Sequence, residues 1–123
     1  MENPREVVSR QNQRLEIAEE SRSGSSVFRC RGSFSLVSHD RLDKLVEKIR
    51  RAENRRVVLD LLAVQHIDST GLGTLATAFK DMRSAGKELV LVPSSVVQTS
   101  LRAVGLDRVF EMVESVETAL APK

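Results

Sequence analysis

The chain has 123 residues, 41% of them hydrophobic and 29% charged, which suits one soluble globular domain and is too short for two. A formal net charge of +2 and an aromatic content of 3% argue against a dedicated nucleic-acid binder. No apolar run approaches the roughly 20 residues that span a bilayer, and the single cysteine allows no internal disulfide. We therefore expect a cytoplasmic protein that binds neither nucleic acid nor membrane.

The N-terminal quarter of the chain predicts a polar tail followed by a β-hairpin. Residues 1–13 carry both charges without an apolar period, so we expect a flexible tail there and a folded domain over residues 14–123. Apolar positions alternate in residues 15–18, and residues 27–31 form a second strand that ends at Gly32. The Ser- and Gly-rich segment between them predicts a turn and antiparallel pairing.

A loop, a helix and an apolar strand come next. Residues 33–39 are predicted to be a loop that exposes Leu36 and Val37. Asp40 is the expected N-cap of a helix that ends near residue 53. One apolar stripe marks the buried face of this helix: Leu42, Leu45, Val46 and Ile49. Residues 56–62 are nearly all apolar, as in a strand covered on both faces.

Residues 65–74, with the sequence QHIDSTGLGT, predict a strand-to-helix turn. The helix that follows is expected over residues 69–85, with Gly86 as its C′ residue. Its apolar residues recur at spacings of three and four: Leu72, Leu75, Ala76, Phe79 and Met82. The Ser69 hydroxyl then lies at a helix N-terminus, where backbone N–H groups and the positive end of the helix dipole favour an anion such as a phosphate.

The C-terminal third repeats the alternation of strand and helix. Residues 88–92 predict a strand, and Ser95 with Gln98 has the spacing of a capping box for a helix that ends at Gly105. The expected buried stripe of that helix is Val97, Leu101 and Val104. A short strand over residues 109–113 and a final helix, capped by Ser115, complete the chain.

The order ββαβαβαβα predicts an α/β fold. We expect one domain with a mixed, mostly parallel sheet of about five strands and about four helices.

From the residues alone, three interpretations of the turn remain open. In the first, Asp68 or Ser69 only caps the helix, while Gly71 and Gly73 let it pack closely. In the second, the segment from Gly71 to Ala76 is the G-x-G-x-x-A fingerprint of a small nucleotide-binding module. The expected acidic residue after the next strand is missing, since that strand ends in Val-Pro.

In the third interpretation Ser69 is a catalytic nucleophile. The G-x-S-x-G elbow is absent, and His66, three residues earlier, does not by itself make a triad. His39, His66 and Cys30 make no metal-ligand set, and we expect no catalytic residue, no metal and no cofactor.

The sequence DSTGLG, at 68–73 after an apolar strand, resembles the signature of the anti-sigma-factor antagonists of the STAS domain family. The resemblance extends from about Leu15 and includes Gly32 and the later sequence VGLD at 104–107 with Phe110. It implies that Ser69 is phosphorylated by an anti-sigma serine kinase, that the unphosphorylated protein binds this kinase, and that a serine phosphatase reverses the modification. It also implies a regulator without catalytic activity, and we expect a monomer.

The resemblance places the partner-binding surface on the turn, whose residues are Asp68, Ser69, Thr70, Gly71, Leu72 and Gly73. We expect Leu36 and Val37 to extend this surface, because their loop and the turn both follow strand C-termini and exposed apolar residues there indicate an interaction patch. The chain departs from the family at one point: an acidic residue often follows the second strand in Gly-x-Leu-Asp, whereas this chain has Ser35 there. This departure bears on the identity of the partner and on the efficiency of phosphorylation. The alternative function within the family is a STAS subunit of another signalling or lipid-transport complex, without phosphorylation.

Overall fold

The apolar runs of the sequence become the strands of a single sheet. A computed structural model describes residues 14–122; the expected tail, residues 1–13, lies outside the described residues. The strands are β1 (Glu16–Arg22), β2 (Ser25–Phe34), β3 (Arg56–Ile67), β4 (Glu88–Pro93) and β5 (Glu111–Met112). The helices are α1 (His39–Arg51), α2 (Ser69–Ser84), α3 (Ser95–Ala103) and α4 (Val116–Leu120), with a 3₁₀ turn at Leu36–Ser38.

The strands follow one another across the sheet in chain order, β1-β2-β3-β4-β5. β1 pairs antiparallel with β2, and every later pair is parallel. From β2 to β5 each parallel strand is added on the same side of the one before it. Because such crossovers are right-handed, the helices that connect these strands, α1, α2 and α3, lie on one face of the sheet. The mixed, mostly parallel α/β sheet predicted from the sequence is confirmed.

The core has two layers because successive strand residues face opposite sides of the sheet. Phe28, Leu59 and Leu91 lie on the side covered by the crossover helices α1, α2 and α3. Val27, Val58 and Val90 lie on the other side, where α4 covers part of the sheet. None of the helices within residues 14–122 is long and apolar enough to cross a membrane.

The parallel strands bring the loops after β2, β3 and β4 to one edge of the sheet. The 3₁₀ turn, the start of α2 and the start of α3 follow these three strands directly. This edge therefore collects the turn at Ser69 and the loop that contains Leu36 and Val37.

The predicted strand ends were too early on this side of the sheet. β2 continues past Gly32, which has φ +109°, to Phe34, and the register with β3 shifts at that glycine. β3 continues to Ile67 rather than ending at residue 62. Beyond the last β3–β4 pair, Leu61 with Pro93, it pairs with β2 alone.

Three local predictions were wrong. α1 begins at His39 after Ser38, so Asp40 lies within its first turn and is not the N-cap. α3 is capped by Ser94, whose hydroxyl accepts a hydrogen bond from the Val97 N–H at 3.3 Å, and not by Ser95. Val104 follows the end of α3 and is 55% exposed, so it does not belong to the core.

Candidate functional site

Asp68, and not Ser69, caps α2. Asp68 has extended backbone angles, and its Oδ1 accepts a hydrogen bond from the Gly71 N–H at 3.1 Å. Its carbonyl accepts the first helical bond from the Leu72 N–H at 2.9 Å. Ser69 is the first helical residue, and its side chain is exposed. The helix start is therefore complete without the serine hydroxyl, which remains accessible.

The two glycines of the turn have different surroundings. Gly71 is buried, and a Cβ there would lie 1.8 Å from the carbonyl oxygen of Phe34 and 2.9 Å from Cγ1 of Ile67. Gly73 is exposed, and a Cβ there would have no atom within 4 Å. Only Gly71 is needed for the start of α2 to contact the end of β2.

The loop after β2 lies against the turn. The Asp68 N–H donates to the Phe34 carbonyl at 3.4 Å, and the Leu36 N–H donates to Oδ2 of Asp68 at 3.1 Å. Leu36 is 64% exposed and Val37 is 37% exposed. The structure thus brings the loop that carries these two apolar side chains next to the residue that precedes Ser69.

The remaining residues of the turn divide between the core and a groove. Leu72 is half-buried and packs against the main core. Thr70 and Gly73 lie on a groove of about 550 Å³ between α1 and α2, with Asp43 and Glu47 of α1 on its other side. Arg50 also lines the groove, so a ligand there would meet hydroxyl, carboxylate and guanidinium groups.

Position 35, where the resemblance calls for an acidic residue, holds a buried serine. The hydroxyls of Ser33 and Ser35 hydrogen-bond to each other, and both side chains are buried. Neither residue brings a charge to the site. The carboxylate that reaches the turn is that of Asp68.

Other reactive groups stand apart from the turn. Burial, and secondarily the charge of Asp60, raises the pKa of the Cys30 thiol to about 12, so this buried thiol is neutral. Within residues 14–122, no group of three His, Cys, Asp or Glu side chains is placed to hold a metal ion.

No local pattern in the sequence indicates the hydrogen bond between Leu36 and Asp68. The two residues are 32 positions apart, and their contact depends on the register that pairs Phe34 with Ile67. The only local signal was that aspartate is a preferred N-cap.

The sequence matches the family model of the STAS domain over residues 16–119. The chain is 26% identical over 98 residues to the anti-sigma-F factor antagonist RsfB of Mycobacterium tuberculosis, covering 80% of each protein.

Solved structures share the fold. An anti-sigma factor antagonist from Mycobacterium paratuberculosis superimposes with a TM-score of 0.74 at 23% identity, covering 86% of this chain and 91% of that one. The cell fate determinant SpoIIAA of Bacillus, in its phosphorylated form, gives a TM-score of 0.64 at 15% identity, covering 85% of this chain and 96% of that one.

Proposed function

The chain belongs to the STAS domain family, and on that premise we propose that it is an anti-sigma-factor antagonist controlled by phosphorylation of Ser69. Unphosphorylated, it binds an anti-sigma serine kinase and thereby frees a sigma factor. Phosphorylated on Ser69, it releases the kinase, and a serine phosphatase returns it to the binding form. It acts in the cytoplasm, as a monomer and without a catalytic residue or cofactor of its own. The likeness to RsfB supports this assignment.

The observation that carries the proposal is the division of roles between Asp68 and Ser69. Asp68 supplies the cap at 3.1 Å from the Gly71 N–H, and the Ser69 side chain is exposed at the first position of α2. A kinase can therefore modify the hydroxyl without removing a hydrogen bond on which the helix depends.

The physical effect of the phosphate is local. It adds about −1.5 to −2 charges and three acceptor oxygens. The N-terminus of a helix favours negative charge by roughly 0.3–1 kcal/mol at an exposed position, so the fold tolerates the group. A partner surface shaped for a neutral hydroxyl meets both the added volume and the charge, and binding weakens.

The partner surface combines the turn with the exposed loop. Ser69 lies at its centre, with Thr70 and Gly73 toward the groove between α1 and α2. Leu36 and Val37 supply exposed apolar area beside Asp68. Neighbouring exposed apolar side chains form the kind of contiguous patch that marks a protein-binding surface. Gly71 and Leu72 contribute through the position of the helix start, since both are at least half-buried.

Phosphorylation is tested by incubating the protein with ATP and the anti-sigma kinase of its source organism, followed by mass spectrometry. We expect one phosphate on the parent chain, one on Thr70→Ala, and none on Ser69→Ala. Thr70 is the matched control because it is the neighbouring hydroxyl on the same helical turn. Phosphate uptake by Ser69→Ala would place the modification elsewhere and refute the assignment.

One observation favours a second function, that of a STAS subunit which is not phosphorylated. Position 35 is a buried neutral serine where the family often has an acidic residue tied to the phosphorylation site. In that case the parent chain would take up no phosphate and would still bind its complex through the same edge of the sheet.

A further inference from the structure

We infer that Asp68 is a positioning residue for the apolar tip, defined as Leu36 and Val37. Its carboxylate holds the tip in the arrangement that a partner at Ser69 meets, without itself contacting that partner. The inference rests on the proposed function and adds to it a residue that controls partner affinity through another part of the surface.

The tip projects from a base that is fixed on both sides. Ser35 and Ser38, which flank the tip, are buried. The Ser38 N–H donates to the Ser35 carbonyl at 2.9 Å, and the Ser38 hydroxyl accepts from the Leu15 N–H at 2.9 Å. The base is thus tied to the frame of β1 and β2, while the two tip residues extend into solvent.

The Asp68 side chain joins this tip to the helix that carries Ser69. Oδ1 accepts from the Gly71 N–H and Oδ2 accepts from the Leu36 N–H, both at 3.1 Å. Hydrogen bonds to a charged acceptor are roughly twice as strong as neutral ones. The bond from the Asp68 N–H to Phe34 is made by the backbone and survives a substitution at position 68. A substitution that keeps one acceptor oxygen for the Gly71 N–H therefore removes the link to the tip.

The other helix caps within residues 14–122 indicate that capping alone does not require an aspartate at position 68. α3 and α4 are capped by Ser94 and Ser115, each with one hydroxyl that accepts from the backbone. A helix start here therefore needs only one acceptor oxygen. The second oxygen of Asp68 serves the Leu36 N–H.

Holding the tip lowers the cost of binding. A loop and its side chains that are ordered before association lose less conformational freedom when they meet a partner. Leu36 is 64% exposed, so its position is not fixed by burial.

The first test uses Asp68→Ser, which retains a good N-cap but loses the second oxygen. In amide hydrogen exchange, we expect the Leu36 amide to exchange roughly tenfold faster, as for loss of a charge-assisted bond, while the Gly71 amide, which keeps a neutral acceptor, changes less. Asp68→Asn is the isosteric second variant, with one oxygen acceptor instead of two, so one of the two amides loses its partner. Unchanged exchange at Leu36 in both variants would overturn the inference.

The second test is a double-mutant cycle. It measures the affinity of the unphosphorylated protein for the anti-sigma kinase. We expect Asp68→Ser to weaken binding roughly three- to tenfold in the parent chain, the range for one lost hydrogen bond. In a chain that also carries Leu36→Ser and Val37→Ser, Asp68→Ser should change the affinity very little. Equal weakening in both backgrounds would mean that Asp68 acts directly on the partner, against the inference. A parent chain that does not bind the kinase would refute the proposed function, whereas Leu36 exchange reports on the positioning role separately.

Discussion

Replacing Gly71 with alanine tests how the turn is built. The added Cβ would lie 1.8 Å from the Phe34 carbonyl oxygen and 2.8 Å from the Phe34 carbonyl carbon. Both are backbone atoms, which cannot rotate away as a flexible side chain would. To reach an ordinary contact of 3.4 Å, the start of α2 must move by about 1.6 Å from the end of β2.

The cost of this shift outweighs the helix preference of alanine. Overpacking against a rigid neighbour costs roughly 1–3 kcal/mol or more, and alanine in a helix gains only about 0.5–1 kcal/mol over glycine. The displacement also strains the hydrogen bonds at Asp68. We expect Gly71→Ala to lower the free energy of unfolding by about 2 kcal/mol, which for a chain of this size lowers the Tm by about 8 °C.

Gly73→Ala is the matched control, because the same methyl group there would meet no atom within 4 Å. We expect it to be as stable as the parent, or more stable by up to about 1 kcal/mol. Urea unfolding followed by circular dichroism measures both variants. If Gly71→Ala proved as stable as Gly73→Ala, the close contact between α2 and β2 would not be as described.

Three further predictions concern the tip, the cysteine and the tail. Leu36→Ser combined with Val37→Ser should weaken kinase binding while leaving the urea midpoint unchanged, because both side chains are exposed; intact affinity would remove the tip from the partner surface. The pKa of Cys30 is raised to about 12, so native protein should resist thiol labelling at pH 8. The free energy of unfolding should fall as pH rises above about 9, where only the unfolded thiol ionises, and a Cys30→Ala variant should lack this slope. Deletion of residues 1–13 should leave the Tm nearly unchanged; a large drop would mean that these residues pack on the domain.

The order of elements could be predicted because apolar runs alternate with helical periods along the chain. The extent of β3 could not, since the apolar run ends at Val64 and is followed by the polar residues Gln65 and His66, which are exposed. They remain in the strand because β2 provides hydrogen-bond partners for this part of β3. Strand ends of this kind are decided by tertiary pairing rather than by local sequence.

The same distinction applies to helix starts and to the site. Ser94 and Ser95 both fit an N-cap by residue type. In the structure Ser94 is the N-cap, and its hydroxyl also donates a hydrogen bond to the Val64 carbonyl of β3 at 2.8 Å. Asp68, Ser69 and the glycines were found by their spacing in a strand-to-helix turn. The link from Asp68 to Leu36 depends on the alignment of β2 with β3, which no local pattern encodes.

The most direct test of the proposed switch is the affinity of the anti-sigma kinase for Ser69→Ala and Ser69→Asp, compared with the parent chain. Circular dichroism should show the same fold for all three, because the cap belongs to Asp68 and the helix N-terminus tolerates an added carboxylate. We predict that Ser69→Ala binds as tightly as the unphosphorylated parent and stays bound when ATP is added, whereas Ser69→Asp binds more weakly. If Ser69→Asp binds as tightly as the parent and Ser69→Ala is still released on addition of ATP, Ser69 is not the switch.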